Sequence, residues 1–79
     1  MKITIDKKYN VAYISLHAKK EDVDTIKVSE EMNVDVAPDG TIYGIELLNA
    51  NEQLGGEDGG VLVVVDEARG KLGEVPLGI

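Results

Sequence analysis

The sequence predicts a mainly β fold, a small antiparallel meander or sandwich with one short helical turn. Three observations lead there. The apolar residues are mostly Val, Ile and Leu, with three tyrosines as the only aromatics, so the core is built from side chains that suit a pleated sheet. Apolar and polar residues alternate with a period of two over residues 1–5, 25–29 and 32–36. Pro38-Asp39-Gly40 is a strong turn signal placed between two such runs.

Taken in order, Met1, Ile3 and Ile5 alternate with Lys2, Thr4 and Asp6 and make the first strand. The polar stretch 6–10 ends in Asn10 and turns the chain into Val11-Ala12-Tyr13-Ile14-Ser15-Leu16, so the first two strands read as a hairpin. Residues 17–24 are charged and aperiodic, an exposed loop. Ile26 and Val28 share one face of a third strand, and Met32, Val34 and Val36 share one face of a fourth. The fourth strand stops before Pro38, which has no amide proton for a ladder.

After the turn, a fifth strand runs from Thr41 to Leu47 or Leu48 and pairs antiparallel with the fourth. It places Tyr43, Ile45 and Leu47 on one face and Ile42, Gly44 and Glu46 on the other. Gly44 stands out, because a glycine inside a strand marks a bulge or the close approach of another group. Residues 49–55 predict one helical turn, with Asn49 as N-cap, Glu52 reaching back and Gly55 as terminator. A glycine-rich linker, residues 55–60, then separates the strands already read from the tail.

Val61-Leu62-Val63-Val64-Val65 is apolar on both faces, which an open strand does not tolerate, so it is expected to be covered. It is read either as a central strand of the same sheet or as a strand donated across a homodimer interface by β-augmentation. Residues 66–70 make another turn, and Leu72, Val75, Leu77 and Ile79 give the final segment apolar side chains without clear order.

With 79 residues the chain is read as a single small β domain, comprising the meander over 1–50, the helical turn and linker over 51–60, and a C-terminal strand and tail over 61–79. A core this small leaves stability thin. There is no cysteine and only one histidine, His17, so neither disulfides nor a zinc site can staple it, and oligomerisation is the remaining route. No signal-peptide core or membrane-length apolar run is present, which predicts a cytoplasmic protein without membrane association.

The net charge is −7, and it is uneven: residues 1–29 carry six lysines against four acids, whereas residues 30–79 carry two basic groups against eleven acids. That balance argues against direct nucleic-acid binding, which depends on Lys and Arg, and suits a basic protein partner. Its plainer meaning is solubility.

Candidate chemistry is sparse. Ser15 and His17 lie two residues apart and could project from one strand face, which would serve a minor hydrolase, but nucleophilic catalysis also needs a third group to orient the base. His17, Asp22 and Asp24 could gather around a metal, and Glu57-Asp58 lies among glycines, yet neither set has the ligand spacing of a metal site. Solvated charge is the simpler reading of both. No phosphate-cradling glycine motif occurs, so no catalytic residue, metal or cofactor is assigned. The candidate interaction residues are Gly44 and Glu46, on one face of the fifth strand, and Val61, Val63 and Val65. Tyr13 and Tyr43 read as residues at the rim of the core with wet hydroxyls.

Two stretches, Ile3-Thr4-Ile5-Asp6 leading into Asn10-Val11-Ala12-Tyr13-Ile14-Ser15-Leu16, and residues 32–50 with Asp39-Gly40 and Gly44-Ile45-Glu46-Leu47-Leu48, resemble a known prokaryotic family. It is the family catalogued as domain of unknown function 2283, and the resemblance covers about residues 1–50. The glycine-rich tail departs from its pattern. The family has no established activity, so the resemblance implies no catalytic residue. Some members are similar in gene setting to antitoxins, which implies binding of a basic protein partner. The resulting expectation is a non-enzymatic interaction protein, with a structural homo-oligomer and a minor hydrolase or metal-dependent enzyme using His17 as the alternatives.

Overall fold

A computed structural model of the chain describes residues 1–18, 22–56 and 58–79. The chain falls into two compact units, Met1–Asn49 and Ala50–Ile79. The first holds β1 (Lys2–Asp6), β2 (Val11–Ser15), β3 (Asp24–Ser29), β4 (Met32–Val36) and β5 (Ile42–Leu48); the second holds α1 (Ala50–Gly55), β6 (Val61–Asp66) and β7 (Gly70–Pro76). The fold is therefore mainly β, with antiparallel pairing throughout and one short helix among the described residues.

The first unit is a five-stranded sheet in the order β1-β2-β5-β4-β3. Two connections are tight turns that chemistry dictates. Asp6 accepts the amides of Lys8 and Tyr9 at 3.0 and 3.1 Å, and Asn10 takes a left-handed φ of 56°, closing the β1–β2 hairpin. Between β4 and β5, Gly40 donates to the Ala37 carbonyl at 2.9 Å with φ at 92°, and Asp39 accepts the Thr41 amide. That backbone hydrogen bond holds the Asp39 carboxyl below its ordinary range. β2 and β3, consecutive in the sequence, are not neighbours in the sheet, and β2 lies beside β5.

Register sorts the residues into two faces, because directly opposed residues project to the same side. Ile3, Ile14, Ile45, Val34 and Ile26 form one apolar row across all five strands. Ala12 faces Leu47 in the next apolar row, and both are buried. The opposite face carries Thr4, Tyr13, Glu46, Asn33 and Lys27 in one row and Lys2, Ser15, Gly44, Asp35 and Thr25 in the next. The core is thin: among the described residues the buried apolar side chains are Ala12, Ala37, Leu47 and Ala50, and no large side chain is fully buried.

From Asn49 onward the chain departs from expectation in four ways. Asn49, read as an N-cap, has φ at 52°, outside the extended range of a cap, and its Oδ1 accepts the Asn10 side-chain amide at 3.3 Å. The left-handed residue that ends the helix is Gly56, with φ at 52°, one position after the expected terminator Gly55. Val61 to Val65 is not a strand of the five-stranded sheet. It belongs to β6, whose only ladder among the described residues is with β7. The tail read as weakly ordered is that second strand, and its alternation was hidden by Gly73 and by a bulge at Leu72, between the partners of Val64 and Val65. Asp66 closes the hairpin by accepting the amides of Arg69 and Ala68, which keep its carboxyl below the usual range, and Gly70 supplies φ at 87°.

The two strand glycines make opposite predictions. A Cβ on Gly44 would collide with the ring and hydroxyl of Tyr13, whereas one on Gly73 would meet nothing within 4 Å. Gly44→Ala should destabilise the protein by about 1–3 kcal/mol, as overpacking does, while Gly73→Ala should leave stability unchanged or raise it by roughly 0.5 kcal/mol. Denaturant unfolding of both variants checks the pair.

Candidate interaction surface

The polar sheet face is held by a short network. Tyr13 leaves β2, crosses over Gly44 on β5, and donates its hydroxyl to Asp35 Oδ2 on β4 at 2.7 Å. Thr25 on β3 donates to the other oxygen, Oδ1, also at 2.7 Å. One row along, Asn33 Nδ2 donates to Glu46 Oε1 at 2.9 Å. The hydrogen bond to Asp35, with burial and the nearby carboxylates adding to it, pushes the Tyr13 phenol up to about 12.

This geometry accounts for Gly44 and Glu46. The approach that Gly44 permits is that of Tyr13 from the neighbouring strand, and Glu46 accepts from Asn33 on the same face. Both residues therefore have partners inside the sheet. Sequence reasoning missed the Tyr13 to Asp35 link, since its ends are 22 residues apart and meet only through the sheet's register.

His17 is exposed and packs edge-on against Tyr43, with ring centroids 5.7 Å apart. Tyr43 belongs to the face opposite Gly44 and Ser15. Ser15 and His17 both line an open cavity of about 230 Å³ with Met1, Lys2, Leu16 and Ala18. Among the described residues no carboxylate orients the imidazole, and no three His, Cys, Asp or Glu side chains converge on a metal-sized site. Lys19, Lys20 and Glu21 of that loop, and Glu57 of the Glu57-Asp58 pair, lie outside the described residues.

The hairpin of the second unit has a different character. Leu62, Val63, Val64, Val65, Leu72 and Val75 are all between 38% and 60% exposed. Val61, Val63 and Val65 share one face with Lys71 and Glu74, which pair at 3.2 Å. Leu62 and Val64 share the other face with Val75 and Gly73, and that face carries no charge along this stretch. Of the three valines singled out from the sequence, Val63 and Val65 are among these six and Val61 is half-buried; Leu72 and Val75 come from β7. At the tip, Asp66 holds the Arg69 guanidinium at 3.1 Å.

The phenol of Tyr13 gives a direct readout of the polar network. Its raised value means that the stabilisation it contributes is complete below about pH 10 and is lost as the pH climbs through 12. In a spectrophotometric titration one of the three tyrosines should ionise late, and Tyr13→Phe should remove that late phase. The same substitution should cost about 1–2 kcal/mol in denaturant unfolding, from one lost hydrogen bond to a charged group. Three tyrosines titrating together would show that the link to Asp35 is not made.

No helix among the described residues is long and apolar enough to cross a membrane. No curated protein and no solved structure matches this chain. A family model described as Protein of unknown function (DUF2283) matches residues 2–51, which includes all five strands of the first unit. With well over half of its length inside that match, the chain belongs to the DUF2283 family, as the residues of its first two strands and of its Asp-Gly turn suggested.

Proposed function

We propose that this chain is a small, non-enzymatic interaction protein of the cytoplasm that binds a basic protein in the manner of an antitoxin, with the β6–β7 hairpin as its contact surface. The observation that carries this reading is the exposure of six large apolar side chains on a two-stranded sheet. A two-stranded sheet alone is marginal in water, and clustered exposed apolar side chains on a small protein mark an interaction site. Charge selects the kind of partner. Residues 50–79 carry six acidic and two basic side chains, and Asp66, Glu67 and Glu74 lie in or beside the hairpin. An apolar centre whose rim is net negative, Asp66, Glu67 and Glu74 against Arg69 and Lys71, complements a basic surface and speeds its approach.

The outer edge of β6, which pairs with no strand among the described residues, supports the homo-oligomer reading as well, and the two are compatible because an edge and a face are different surfaces. Co-expression with a basic protein encoded beside this chain tests the proposal. The two should co-purify, separate as salt is raised, and lose affinity by about tenfold or more when Glu67→Lys and Glu74→Lys reverse the rim. A neighbour that fails to co-purify, or one whose binding ignores both charge reversals, would remove the basic-partner reading.

A further inference from the structure

Four sheet edges are open among the described residues, and they are not alike. β1 carries Lys2 and Asp6 at its ends. β3 carries Asp24 and Lys27 and has a bulge between Lys27 and Ser29. β7 carries Lys71, Glu74 and Pro76 and is bulged at Leu72. Charges, prolines and bulges are the devices by which an edge strand avoids pairing with another chain. β6 has none of them from Val61 to Val65, and its first charge is Asp66 at the turn.

We propose that the free edge of β6 pairs with β6 of a second copy of this chain, antiparallel and about a twofold axis at Val63, so that two hairpins form one four-stranded sheet. The inference rests on the reading of the hairpin as a contact surface and assigns its edge. The occupant follows from charge and symmetry. A five-residue edge without charge offers nothing to a charged segment, but it is complementary to itself.

Register is equally constrained. Opposed residues must lie on the same face, so the twofold axis passes through a residue of β6 and not between two. Centring on Val63 opposes Val61 to Val65 and Leu62 to Val64, and pairs all five apolar residues. It sends Asp66 opposite Gly60 of the second copy, outside the apolar ladder. Centring on Val64 instead would set Asp66 against Leu62. In the Val63 register the uncharged faces bearing Leu62, Val64 and Val75 become continuous across the axis.

Cysteine pairing tests this directly, because the chain has no cysteine of its own. Opposed residues of an antiparallel pair have Cα atoms about 4.5–5.5 Å apart, within disulfide reach. Val63→Cys should therefore cross-link to itself under mild oxidation. Val61→Cys should not, since its two copies stand about 14 Å apart along the ladder, but a mixture of Val61→Cys and Val65→Cys should give the mixed dimer. The unmodified chain should show a dimeric mass in light scattering, and Val63→Lys should make it monomeric with its β circular dichroism retained.

A monomeric mass at every concentration overturns the self-pairing. If hairpin substitutions still abolish binding of the basic neighbour in that case, the contact-surface reading survives without it. Self-linking of Val61→Cys in place of Val63→Cys overturns the register. A dimer indifferent to Val63→Lys, with no cross-link at position 63, puts the dimer interface elsewhere and overturns the self-pairing of β6.

Discussion

The carboxylate of Asp35 is the point on which the first unit's sheet closes. β5 alone joins the β1–β2 hairpin to the β3–β4 hairpin, and Tyr13 reaches across it to Asp35. Thr25 completes the set from the far side, so one carboxylate ties β2, β3 and β4 together over β5. Hydrogen bonds to an ionised acceptor are stronger than neutral ones, and here they cross three strand boundaries. The crossing needs position 44 to be empty of a side chain. Gly44 weakens its own strand, and the ring of Tyr13 covers the backbone that it leaves bare.

That arrangement decides which parts of the molecule remain available for contact. Tyr13, Asp35, Thr25, Asn33 and Glu46 hydrogen-bond to one another, so much of the polar face is committed to holding strands in register. The hairpin spends its polar groups differently. Asp66 closes the tip with Arg69, Lys71 pairs with Glu74, and Leu62, Val63, Val64, Val65, Leu72 and Val75 are exposed. A sheet whose polar groups satisfy each other and a hairpin whose apolar groups do not are suited to different tasks, framework and contact.

The parts visible in the sequence are those that local chemistry determines. Alternation at Ile3 and Ile5 or at Val34 and Val36, and the turn at Pro38-Asp39-Gly40, depend on neighbours a few residues away. The pairing of β2 with β5 and the reach of Tyr13 depend on long-range register, so Gly44 announced a close approach without naming what approached. Asn49 shows a second kind of ambiguity: asparagine favours both an N-cap and a left-handed turn, and its φ of 52° belongs to the turn. β7 was lost for a third reason, since a bulge shifts the period of two by one residue and Gly73 removes a side chain where the pattern needed one.

The family match and the edge protections bear on different parts of the chain. The match ends at residue 51, within α1 and before β6 begins, so membership accounts for the first sheet and leaves the hairpin unexplained. Within that first sheet both outer strands carry charge, and β3 carries a bulge besides. The same protections recur on β7. A hairpin that protects one of its edges in three ways and the other in none has an orientation, because only the unprotected edge can extend the ladder. Extending it through β6 keeps the Lys71–Glu74 pair and Pro76 at the outside of the enlarged sheet, where a paired charge and a missing amide belong. Extending it through β7 would bury all three against a neighbouring backbone. The proposed self-pairing uses that asymmetry, with β7 ending the enlarged sheet and β6 continuing it.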